Sequence, residues 1–323
     1  MSGHLLRRAA QAIVVLWAAF TLSFVILYLM PGDAVLAKLG GGEGAMTVTA
    51  ADLARARAEY GLSDPWPVQY GKRLFAALHG DFGRSIATGD SATHLVLTAL
   101  PATLAVTGLA LVLAVAGGAG TAFAATYTRS KWLGNLLLSL PPAGISLPVF
   151  WVGLVLIQTF SFQLRLLPAL GDHGFASVIL PAVTLALPTG AVIAQVLAKS
   201  LRTQLAQPYV ETARARGAGR ARVHFGHALR NAAMPALTMT GVVTGGLLAG
   251  SVVTETVFSR DGVGRVTTAA VNAQDIPVVQ AVIVLAAFFF VTINLLVDLL
   301  YPLLDPRLRR DPSRLAGKEL VHG

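Results

Sequence analysis

The chain has 323 residues, 54% of them hydrophobic and only 13% charged, with a mean hydropathy of +0.66, whereas soluble domains carry about a quarter charged residues. It has no cysteine, which excludes a disulfide framework, a thiol nucleophile and a cysteine-based metal site. Its net charge of +9 would point to nucleic acid in a soluble protein, but membrane proteins gather Lys and Arg on their cytoplasmic side, and the charge distribution favours that cause.

A bilayer core about 30 Å thick takes about 20 apolar residues as helix, and six stretches qualify. The first, 9–30, has no charge and follows Arg7-Arg8. It exceeds the roughly 7–15 residues of a signal h-region and no A-x-A-like site follows it, so a retained span is predicted. A polar loop, 31–94, comes next. There "TAADLARARAEYG" offers Thr49 as N-cap, Asp52 three residues on and Gly61 as a stop, predicting a helix, and Pro65 to Leu78 predicts a second, amphipathic one. The second span lies near 100–121, the third within 132–164, the fourth at 177–198, the fifth at 231–254 and the sixth at 276–297.

With the N-terminus in the cytoplasm, the inner segments hold Arg7 and Arg8, Arg129 and Lys131, seven basic residues in 199–230 and five after Asp305, or 16 of the 25. The six in the long loop weigh little, because long loops cross regardless of charge. Both termini are expected inside. The predicted organisation is an all-α integral membrane protein with six transmembrane helices. It comprises an N-terminus and first span (1–30), an extracytoplasmic helical loop (31–94), a five-helix core (95–304) containing a cytoplasmic loop (199–231), and a tail (305–323).

Chemistry is conspicuous by its absence. No G-x-x-x-x-G-K-[ST] phosphate loop exists, since Gly71-Lys72 lacks the upstream glycine and the Ser/Thr. There is no H-E-x-x-H metal pair and no G-x-S-x-G elbow. The span cores carry no Asp, Glu, Lys, Arg or His, which proton-driven transporters need. A stand-alone channel or secondary transporter would show intramembrane charge or a selectivity element, and an intramembrane enzyme would show paired catalytic groups. The pattern is that of a non-catalytic transport subunit driven by an outside motor, with no cofactor of its own. Pro141-Pro142, Gly144 and Pro148 are expected to interrupt the third span, and Pro181, Pro188 and Gly190 the fourth. Gly241, Gly245-Gly246 and Gly250 run along the fifth, where small residues allow close helix approach. Trp151, Thr238, Thr240 and Thr244 are candidates to line a pathway.

The inner loop before the fifth span is dense in arginine: "YVETARARGAGRARVHFGHALRNAAMP", 209–235. Pro208 suits the first turn of a helix and Glu211 its positive end. Gly217-Ala218-Gly219 then breaks the helix, which resumes over 220–230. Helix, glycine elbow, helix makes a rigid knuckle, and Gly217 is expected in the left-handed backbone region. Enforcing topology alone would need only two or three basic residues.

This stretch resembles the cytoplasmic signature loop of ABC-importer permeases of the dipeptide/oligopeptide/nickel class. Glu211, Ala213 and Gly217 match its Glu-Ala-Ala…Gly core with Thr212 in place of the first alanine, and Pro235 stands at the closing proline after Met234. "LMPGDA" (29–34), "GLSDPWPVQY" (61–70), "GDFGRS" (80–85), "LPVFWVG" (147–153), "TETVFSRDGVGR" (254–265) and "NLLVDLLYPLLDPR" (294–307) are similar to that family in the same order. The resemblance implies a type I importer permease fold and half of a translocation pathway, shared with a second homologous permease. Two cytoplasmic ABC ATPases would bind ATP, and an extracytoplasmic binding protein would deliver solute. A docking surface for that protein is expected at residues 45–90 and 258–275. The resemblance also implies an ATPase-coupling role for Glu211, Thr212, Ala213, Arg216, Gly217, Gly219, Arg220, Arg222, His227 and Pro235. No nucleic-acid partner is expected, since the basic residues follow from topology. Peptides are the class default, with metal chelates, siderophores, haem and glutathione as alternatives.

Overall fold

The computed structural model describes residues 2–29 and 64–304, with side chains placed for 7–28 and 64–296. The helix expected over 49–61 lies outside the described residues. Within them, all regular structure is helical apart from one antiparallel bridge between Arg84 and Ser91.

Helix α1 spans Ser2–Leu29 and α2 spans Trp66–Leu78. Helix α3, Ala92–Tyr127, opens on Ser91, whose hydroxyl accepts the His94 N–H. At about 1.5 Å per residue its 36 residues reach about 54 Å, well beyond the apolar thickness of a bilayer. Helix α4, Lys131–Ser146, starts on Ser130 in the same manner. Helix α5, Val149–Leu156, runs on through a π-helical stretch, Ile157–Gln163. Helix α6 covers Ala176–Leu205 and α7 covers Pro208–Ala215. A second π-helical stretch, Arg222–Ala228, leads into α8, Leu229–Val257. Helices α9, Val263–Asn272, and α10, Ile276–Leu304, complete the set.

Among the described residues five helices are long and apolar enough to cross a membrane, and they number six if the pair α4–α5, which turns by 104° at its break, is taken as one span. The break falls at Leu147, with φ −81° and ψ 129°, because a following proline disfavours helical backbone. Pro141-Pro142 and Gly144 sit inside α4 without ending it. The interruption expected at Pro181, Pro188 and Gly190 does not occur, since α6 passes through all three. Pro181 has no N–H to offer the Ser177 carbonyl. Arg260 Nη1 donates to that carbonyl at 2.9 Å instead, so the proline leaves no orphaned acceptor.

Helix α6 is the hub. In its most apolar window 67% of residues are buried, against 17% in α1. Its neighbours approach closely through small residues. A β-carbon on Gly118 of α3 would lie 2.6 Å from the Gly190 carbonyl oxygen of α6. One apolar cluster joins Val106, Ala110 and Ala114 to Ala182, Leu185 and Leu247, and a second joins Ala122 to Leu197, Leu201, Ala228 and Ala232. Helix α3 is thereby fixed to α6 and α8 along its length.

The connecting segments sort to two ends. At one, Asp275 accepts hydrogen bonds from the Ser85 hydroxyl, Ile86 N at 3.0 Å and Ala87 N at 3.2 Å, and Gly171 N donates to Phe258 O at 3.0 Å. Tyr70 of α2 meets Thr21 near the end of α1, with the hydroxyls 2.8 Å apart. At the other end, Arg220 Nη2 donates to Thr128 O at 3.2 Å. Residues 2 and 304 therefore lie at the same end as α7.

Candidate functional site

Three features stand out: a polar knuckle around α7, the exposed face of α8, and a buried carboxylate at the far end of α8.

Pro208 occupies the first turn of α7, where its missing N–H costs nothing, and Glu211 sits in the same turn. The helix closes in a Schellman arrangement, with Ala218 N donating to Ala213 O at 3.0 Å and Gly217 N to Arg214 O at 2.9 Å. That closure needs a left-handed residue, and Gly217 has φ +83°. Val223 N returns to Gly219 O at 3.0 Å as the chain resumes helix. Val210 and Val223 are buried beneath, at 1% exposure each. Glu211, Thr212, Arg214, Arg216, Arg220, Arg222, Phe225 and His227 remain on the surface.

Beyond the elbow the chain is tied to α3. The Arg220 guanidinium lies 4.8 Å from the Tyr127 ring centroid. His224, 2% exposed, has its Nε2 3.0 Å from Thr126 Oγ1 and sits edge-on to Tyr127. The tie falls within the wide π-helical turn, a departure that recurs at functional sites.

The exposed stripe of α8 recurs every three or four residues through Pro235, Thr238, Val242, Gly246, Ala249, Val253 and Thr256. No large side chain projects from it. The exposed faces of α1 and α10 differ, carrying Ile13, Trp17, Leu22, Phe288 and Phe290, as contact with lipid favours. Thr238 and Trp151 are exposed, Trp151 at 47%. Thr240 is half-buried, bonded to Ala236 O at 2.8 Å, and Thr244 is packed inside, bonded to Thr240 O at 2.6 Å. Of the four candidate lining residues, two are therefore exposed, one is half-buried and one lies inside.

At the opposite end of α8, Glu255 has no exposed surface. Its Oε1 accepts from the Thr103 hydroxyl at 2.6 Å and its Oε2 from Gly264 N at 2.7 Å, while Val263 N donates to Thr103 Oγ1 at 2.8 Å. The carboxylate thus caps the positive end of α9 and ties it to α3. A β-carbon at Gly262 or Gly264 would collide with that carboxylate, which accounts for the spacing in "DGVG". Alongside, Arg260 is buried, pairs with Asp172 and holds Ser177. Glu255 lies one residue beyond the expected fifth span, because the helix runs past Thr254 to Val257 and carries the carboxylate inside at its end.

Two family descriptions match: "Binding-protein-dependent transport system inner membrane component" over residues 114–310, and its N-terminal counterpart over 1–107. The chain belongs to this permease family. A relative named as a peptide transport system permease in Brucella abortus (strain 2308) is 35% identical over 319 residues, spanning 96% of this chain and all of the relative. The glutathione transport system permease GsiC of Salmonella paratyphi A is 36% identical over 313 residues, spanning 96% and 99%. The fold is also that of the MetNI methionine ABC transporter in inward-facing form, at TM-score 0.53 and 16% identity, with 66% of this chain and 97% of that one covered.

The permease is a multi-pass membrane protein and a non-catalytic transport subunit, its ATPase being a separate partner. Its signature residues from Glu211 to Arg222 gather on one knuckle, whereas Pro235 lies inside α8, beyond the π-helical stretch. His224, Glu255, Arg260 and Asp275 are the polar anchors that sequence reading passed over. The glycines at 262 and 264 were the available signal for Glu255, because paired glycines mark a close approach.

Proposed function

We propose that the permease forms half of an ATP-driven import pathway for peptides or peptide-like solutes, paired with a second homologous permease. Two cytoplasmic ABC ATPases bind and hydrolyse the ATP, and the α7 knuckle seats in a cleft of one of them. The termini and the knuckle face the cytoplasm, while α2 and α9 face outside and receive a loaded binding protein. The observation that carries this reading is the knuckle itself: a surface helix closed by Gly217, rimmed with arginines and tied to α3. Relatives named for peptides and for glutathione support a solute with peptide bonds. The exposed stripe of α8 is neutral, which suits a conduit that releases what it admits, with selection left to the binding protein.

The chain lacks cysteine, so Thr212→Cys gives a single reactive site. With a bifunctional thiol reagent, it is expected to cross-link to the ATPase subunit in membranes holding the whole complex. Cross-linking to an extracytoplasmic protein, or none to the ATPase at full complex occupancy, would overturn the proposal.

A further inference from the structure

Between the far end of α8 and helix α9 lies a cavity of about 360 Å³, within the usual range of small-molecule sites. Its polar wall is formed by Thr256, Ser259, Arg265, Thr268 and Asn272 over a floor containing Glu255. The arrangement is built rather than incidental, because its two sides, the end of α8 and α9, are joined by the hydrogen bond from Gly264 N to the fully buried Glu255, itself held against α3 by Thr103. Ser259, on the rim, holds φ +51°. Such a value is costly for a residue with a side chain, and it collects at functional sites. The cavity also opens at Thr256, the last member of the small-residue stripe along α8.

We propose that this cavity is a reception subsite for the carboxylate end of a solute, with Arg265 as the anchoring group. The proposal rests on the importer reading and names a ligand chemistry for its outer mouth. Guanidinium and carboxylate are geometrically matched through paired donors and acceptors. The present partner of Arg265 is Asp261, one turn earlier, with side chains 57% and 76% exposed. An exposed pair of this kind is weak and screened, so an incoming carboxylate can take its place. The Ser259 hydroxyl and the Asn272 amide, both on the exposed rim, offer a donor and acceptor set suited to a peptide main chain. The Glu255 oxygens are engaged by Thr103 and Gly264, so that residue is a positioning group for α9 and not an amine ligand. The spans themselves carry no comparable cation, which places recognition of this group before the conduit.

The test uses the full complex in proteoliposomes, with saturating binding protein and either a tripeptide or its C-terminal amide. Arg265→Gln is expected to lower uptake of the free acid about tenfold, the loss of one charge-assisted contact, and to leave the amide unchanged. Arg265→Lys, which keeps the charge but not the paired planar donors, should restore only part of the free-acid uptake. Equal loss for both peptides, or no loss for either, would overturn the subsite. Persisting ATP-dependent uptake in those cases would leave the importer reading intact, whereas ATP-independent uptake by the unaltered complex would remove the importer reading itself.

Discussion

A β-carbon at Gly217 would meet nothing within 4 Å, so space is not what demands glycine there. The demand comes from φ +83°, which costs other residues about 1–2 kcal/mol. Gly217→Val is therefore expected to leave membrane abundance normal while weakening copurification of the ATPase and lowering uptake. Gly219 also has open space but no left-handed backbone, so Gly219→Ala should transport as the parent does. Full transport by Gly217→Val, or equal losses in both variants, would remove the elbow from the coupling account. Glu255 makes the opposite point, because there the neighbours are everything. Glu255→Ala strands the Thr103 hydroxyl and the Gly264 N–H, at about 1–3 kcal/mol for each buried group left unpaired. The purified protein should show a lower Tm, with Glu255→Gln falling between the two. An unchanged Tm in Glu255→Ala would contradict the buried tie.

Among the elements, α6 carries the clearest test of how the bundle tolerates its prolines. Arg260 satisfies the Ser177 carbonyl that Pro181 leaves without a donor. Arg260→Met keeps the length of the side chain but orphans that carbonyl and removes the ion pair of Asp172. It should therefore destabilise by at least about 1–3 kcal/mol, read as a drop in Tm. Replacing Pro181 with Ala in the same chain restores an N–H and should recover part of the loss. No recovery would mean that Arg260 acts elsewhere. Elements were legible where local signals decide them. Pro65 began α2, Pro208 began α7 and Gly217 ended it, because capping and backbone permission are properties of one or two residues. The break assigned to Pro181 failed because a tertiary donor, Arg260, more than 70 residues away, supplied what the local sequence lacked. The break at Pro148 succeeded because it rests on a clash with the residue before it.

Across the whole molecule the hydrophobic runs and the basic bias yielded the long apolar helices and the sorting of loops to two ends, since both follow from the bilayer. The polar ties at those ends were not legible. Glu255 to Thr103, Asp275 to Ser85 and His224 to Thr126 join residues about 100 to 190 positions apart, and no spacing rule brings such pairs together. The same two ends give a topological expectation on the cysteine-free chain. A thiol reagent that cannot cross the membrane should label a cysteine at Asp172 in intact cells and spare one at Ser130 or Gly219. The measurement that bears most directly on the central claim is peptide uptake by proteoliposomes of the complete complex, with loaded binding protein outside and ATP confined to one side. Uptake should require ATP in the lumen, against the α7 knuckle, and stop when ATP is present only outside. Uptake without ATP, or with ATP only on the side of the binding protein, would contradict a permease driven through that knuckle.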